Sequence, residues 1–164
     1  MKNLINLKSL FTVQCFLFLI PINIYLLGEG AAAGIQWIFF RYQQGYLGNS
    51  LILFTKDLFY VQTNILTGKS AFAAELTFTA SCIFIIATIL FAIAYRKNNV
   101  QWRKASALLT ICSGGLFLIS DITQYGVFFN GPAGFVIPVG IPIMLFFGGW
   151  IYSMDFTDND TAEP

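Results

Sequence analysis

Long apolar runs dominate the chain, and the residues that interrupt them set its predicted elements. From residue 76 to 95 it reads LTFTASCIFIIATILFAIAY, with no charge at any position. At ~1.5 Å per helical residue this run spans about 30 Å, the thickness of a bilayer's hydrocarbon core. Arg96, Lys97, Arg103 and Lys104 follow it closely. Residues 105–124 form a second long run, broken on one side by Ser106, Thr110, Ser113, Gly114, Asp121 and Gln124. Two further runs, 10–27 and 135–152, carry prolines: Pro21 in the first, Pro138 and Pro142 in the second. The pattern predicts an all-α integral membrane protein with four transmembrane helices near 10–27, 76–95, 105–124 and 135–152. It forms a single domain, 1–154, with an acidic tail at 155–164. The opening run resembles a secretory signal, yet at 18 residues it exceeds the usual ~7–15 of such a core and reads as a first span.

The connection from Gly28 to Ser70 is too long for a turn and too apolar for a solvated loop. Ile35, Ile38, Phe39 and Tyr42 recur at i, i+3, i+4 and i+7, which predicts a helix lying in the membrane interface with Trp37 and Arg41 at headgroup level. After Gly45–Asn49, residues 50–62 carry Lys56-Asp57 at their centre, a costly pair for a spanning helix. They read as a second interfacial helix or a hairpin. This outer connection would therefore hold one or two interfacial helices.

Charge supplies an orientation. Of the nine Lys and Arg, six fall on the amino terminus and second connection, and Arg41, Lys56 and Lys69 on the first connection. By the positive-inside rule both termini lie in the cytoplasm. A charged fraction of 10%, against ~25% in soluble domains, points to lipid as a solvent for part of the surface. A net charge of +1 leaves no basic field for nucleic acid. Histidine is absent and the three cysteines lack paired spacing; Cys15, Cys82 and Cys112 read as small buried hydrophobes. No catalytic group, cofactor or metal set emerges. Gly68-Lys69-Ser70 lacks the earlier glycine of a phosphate loop, since Thr63 stands there.

The polar side of the third run is the candidate site. Thr110, Ser113, Asp121 and Gln124 should face protein, because lipid offers them no partner. Asp121 has three readings: a carboxylate paired with Arg41 or Lys56 of the outer connection, a proton or cation site, or a side chain simply exposed near the outer interface. Pro138 and Pro142 either mark the start of a regular helix after an extended segment, or break a helix as in transporters. The expected function is a non-catalytic accessory or assembly subunit of a larger membrane complex, partnered by lipid and by other membrane subunits or further copies of itself. The alternative is a small transporter or channel using Asp121 and a proline-broken fourth helix.

Overall fold

The structure, a computed structural model, describes residues 7–28, 31–46 and 48–154. Its longest elements are two helices, α3 (Gly68–Lys97) and α4 (Val100–Tyr125). They are joined by Asn98, whose left-handed φ of 46° ends α3, and by Asn99, whose side chain caps α4 through the Trp102 amide. Ala73, Ala80, Ala87 and Ala94, spaced by seven, are all buried along α3. Opposite them on α4 lie Ser106, Ser113 and Ser120, also spaced by seven and buried. Small side chains at this period let the two backbones approach closely.

Two shorter helices flank the pair. α1 (Leu7–Phe16) buries Leu10 and Gln14, followed beyond its end by Leu17. Phe11 stacks on Phe91 and Tyr95 of α3. α5 (Gly140–Ser153) packs on α4 through Met144, Phe147 and Ile151. The contact is close at Gly148, where a Cβ would lie 3.0 Å from the Ala107 carbonyl and 2.8 Å from Ile111 Cγ1. α2 (Phe54–Gln62) is short and has no buried residue.

A six-stranded antiparallel sheet lies across the end of this helical pair. Its strands are β1 (Asn23–Leu27), β2 (Ala32–Gln36), β3 (Phe40–Gly45), β4 (Gly48–Leu53), β5 (Asn130–Gly131) and β6 (Gly134–Pro138). The spatial order is β4-β3-β2-β1-β6-β5, so β1 pairs both with its neighbour β2 and with the distant β6. Tyr25 lies over Gly34, its partner on β2, and a Cβ at Gly34 would enter its ring.

This architecture corrects the all-α reading with four transmembrane helices and interfacial helices. Residues 10–27 do not form one helix: α1 ends at Phe16, and Asn23–Leu27 is β1. Residues 135–152 divide likewise into β6 and the 14-residue α5, whose length of about 21 Å falls short of a bilayer core. Among the described residues, only α3 and α4 are long and apolar enough to cross a membrane. The four-helix multi-pass reading, and the cytoplasmic placement of both termini that followed from it, therefore lose their basis. The interfacial helix over 35–42 is a hairpin. Ile35 and Tyr42, read as one helical face seven residues apart, are opposed across β2 and β3, while Ile38 turns into the core with no exposure. Residues 50–62 combine the end of β4 with α2. Cys15 and Cys112 are exposed rather than buried. The acidic tail at 155–164 lies outside the described residues.

Two adjacent glycines of α5 test the α4–α5 contact. Gly148→Ala should destabilise by about 1–3 kcal/mol, because backbone stands where the methyl must go. At Gly149 nothing lies within 4 Å, so Gly149→Ala should be neutral or stabilising by up to ~1 kcal/mol through helix propensity. Unfolding titrations of the two variants in one detergent provide the comparison, and equal losses would refute the packing.

Candidate functional site

The hydroxyls of α4 are engaged in holding α3. Ser106 Oγ donates to the Ala87 carbonyl at 2.7 Å, Ser113 Oγ to Ala80 at 2.8 Å and Ser120 Oγ to Ala73 at 2.8 Å. A carbonyl oxygen has two lone pairs, so each can serve its own helix and a serine of the other. Thr110 donates to the Ser106 carbonyl and accepts from Gln14 Nε2 at 3.2 Å, and the same amide reaches Thr88 Oγ1 at 3.3 Å. Gln14, fully buried on α1, thus ties three helices at one level. Ser113 and Thr110 of the candidate site belong to this packing.

At the far end the polar groups are used differently. Strand alternation gives the sheet an inner face turned to the helices and an outer face turned away. Asn23, Tyr25, Gln36, Arg41 and Gln43 point inward, where Ser120, Asp121, Gln124 and Tyr125 of α4 and Ser70 and Thr77 of α3 await them. Between these two sets is a cavity of about 200 Å³. Asp121, Gln124 and Arg41, far apart in sequence, share its wall. Pro138 and Pro142 do not: Pro138 ends β6 opposite Asn23, and Pro142 sits in the first turn of α5, where its missing amide costs nothing.

Neither predicted partner holds Asp121. Arg41 pairs with Asp57 of α2 at 2.7 Å, mostly shielded from solvent, and Lys56 lies over the Tyr60 ring at 5.7 Å. Asp121 instead accepts from Asn23 Nδ2 at 2.8 Å. That bond leaves Asp121 Oδ2 and Asn23 Oδ1 buried without a protein partner. Burial pushes the Asp57 carboxyl above its ordinary range, with the Arg41 guanidinium pulling the other way. Burial also pushes the Tyr25 hydroxyl up from 10.0, opposed by Arg41 and reinforced by Asp57. Among the described residues, no group of three or more His, Cys, Asp or Glu could hold a metal.

Sequence reasoning missed Asn23, Tyr25 and Tyr125. Asn23 interrupts an apolar run just after Pro21, a signal that a strand with an inward amide would explain. Compared with known families, characterised proteins and solved structures, the chain matches none.

The sheet's outer face inverts the usual order of burial. Ile137, Ile24, Ile35, Tyr42 and Leu51 form one row across five strands, each opposite the next in register. Four of them are exposed, Leu51 at 62%. A second row places Phe135 beside Leu26 on the same side, both exposed. The outer face also carries Gln44 and Asn49 in the second row, and the inner face buries Val136 beside Tyr25, so the apolar row is a stripe on a mixed surface.

Tyr25 carries the prediction that follows from this geometry. Its hydroxyl is buried without a protein partner, so Tyr25→Phe should leave stability level or raise it by up to ~1 kcal/mol. A raised folded-state value means that the tyrosine's contribution is complete below pH 10 and is lost as pH rises through that value. Alkaline titration of melting temperature should therefore fall less steeply for Tyr25→Phe than for the wild type. Identical slopes would contradict the burial.

Proposed function

We propose that this protein is a non-catalytic docking subunit, held at a lipid bilayer by α3 and α4, whose outer sheet face binds another polypeptide. The bilayer part rests on the surface of α3: only 28% of its most apolar stretch is buried within the protein. Phe72, Ile86 and Ile89 stand outward, whereas a soluble core helix would be covered. α4 is the more enclosed of the two, with 44% buried.

The observation that carries the docking role is the in-register apolar row Ile137–Ile24–Ile35–Tyr42–Leu51. A contiguous exposed apolar face is a binding surface unless lipid covers it. Lipid is poorly placed to do so. The inner sheet face is turned to the ends of α3 and α4, so the outer face points away from the hairpin and from any bilayer around it. β4 adds an edge strand whose backbone is open to pairing. The transport reading has weaker support, since the α4 serines are occupied by α3 carbonyls, Pro138 ends β6 and Pro142 lies in the first turn of a regular helix.

A photo-crosslinking residue at Leu51 or Ile24, introduced into the full chain in its native membrane, tests this function. The expected product is a discrete polypeptide adduct that disappears when Ile137→Glu or Tyr42→Glu is added. A crosslinker at Gln43, on the inner face, should yield none. Adducts to lipid alone, or polypeptide adducts unaffected by the glutamates, would overturn the proposal.

A further inference from the structure

We propose that the open edge of the sheet pairs with the same edge of a second copy of this chain, β4 against β4, about a two-fold axis through Leu51. The two edges differ in how they are protected. β5 is two residues long and is followed by Pro132, which leaves little backbone to template another strand. β4, GNSLIL, holds no charge and no proline, the devices that ordinarily blunt an edge. All its residues except Ile52 are exposed. α2 does not cover it: Phe54 stacks on Phe78 of α3 and Asp57 meets Arg41, so the helix leaves the strand toward the inner face.

The backbone bonds fix which groups of β4 are free. The Phe54 amide donates to the Phe39 carbonyl, and the Trp37 amide to the Phe40 carbonyl. Phe54 and Phe39 extend the register of β3 with β4, as Trp37 and Phe40 extend that of β2 with β3. Bonded and unbonded pairs alternate along an antiparallel ladder, so Gly48, Ser50 and Ile52 direct their amides and carbonyls to β3. Asn49, Leu51 and Leu53 direct theirs outward.

Those three residues are spaced evenly about Leu51, and an identical strand meets them all in one register. The axis sets Leu51 opposite Leu51 of the second copy, and Asn49 opposite Leu53 in both directions. Each facing pair then exchanges two N–H···O=C bonds. Side chains agree with the backbone. Leu51 ends the apolar row that runs from Ile137 through Ile24, Ile35 and Tyr42, and the axis continues that row into the second copy without a break. Charge agrees too: β4 carries none, and Arg41 beside it is paired with Asp57, so like edges meet without strong repulsion. This pairing does not rest on the docking role of the face. In the crosslinking test above a self-adduct at Leu51 has twice the chain's mass, whereas Ile24, three strands in from the edge, reports on the face alone.

Cysteine crosslinking of the full chain in its native membrane reads the register, with Cys15, Cys82 and Cys112 replaced by alanine. Leu51→Cys should oxidise to a disulfide dimer, because facing residues of a bonded antiparallel pair have Cα atoms about 5.5 Å apart, within reach of a disulfide. Asn49→Cys and Leu53→Cys should each give none. Either position stands two residues from the axis, so its two copies lie about 13 Å apart along the strands, too far to bridge. Both substitutions on one chain should restore the dimer, a second route should Leu51→Cys fail to fold. No dimer from either the Leu51→Cys chain or the doubly substituted chain overturns the proposal. Equal dimers at all three single positions mark random collision and overturn it as well, as does a disulfide to some other polypeptide in place of the dimer.

Discussion

The register between α3 and α4 is held by three serine-to-carbonyl hydrogen bonds, and much of the remaining structure depends on it. Ser106, Ser113 and Ser120 each meet an alanine carbonyl one heptad apart, so one slip of the pair would break all three together. Each bond is worth only about 0.6 kcal/mol by the average for interhelical pairs. Their collective effect is positional: with the alanines flat against α4, Thr77 meets Ser120 at 2.9 Å, and Asp121 falls at the end of the pair facing Asn23. Ser81, beside this seam, bonds the Ile38 carbonyl at 2.7 Å and so anchors the β2–β3 turn to the same register.

The sheet is a consequence of that end. Its central strand β1 belongs to the amino-terminal part of the chain and its partner β6 to the segment after α4, so closing the sheet joins positions more than a hundred residues apart. On its inner face Asn23 gains Asp121 of α4 as a partner, and Arg41 gains Asp57 of α2. The outer face is then left with Ile24, Ile35, Ile137, Leu26, Leu51, Phe135 and Tyr42, together with Gln44 and Asn49. The docking surface and the polar chamber are therefore two sides of one alternation, and a one-residue slip of any strand would exchange them.

Legibility differed sharply between the two halves of the architecture. The α3 and α4 runs are long, and their helical character and polar stripe are local properties that need no partner to be read. The hairpins were hard to read because most of β2 and β3 is Ala, Gly, Gln and Arg, and Ile35, Phe40 and Tyr42 are the strand-favouring types among them. Ile35, Ile38, Phe39 and Tyr42 match a helical period by spacing alone, while a turn between β2 and β3 sets the first and last opposite each other. Asp121 was legible as a residue needing a partner, but Arg41 was already committed to Asp57, a contact fixed by where β3 passes α2.

By itself the sequence determined the two long apolar helices, the polar stripe along the second and the lack of histidine for proton chemistry. These follow from residue type and short-range spacing. Only the tertiary structure decided that the proline-bearing runs divide into strand and helix, that Asn23 faces Asp121, and that the sheet turns its apolar side outward. Those features depend on pairings between segments far apart in the chain. The period-2 pattern that encodes them is the same whichever face ends inside, until α3 and α4 supply the polar groups that select it.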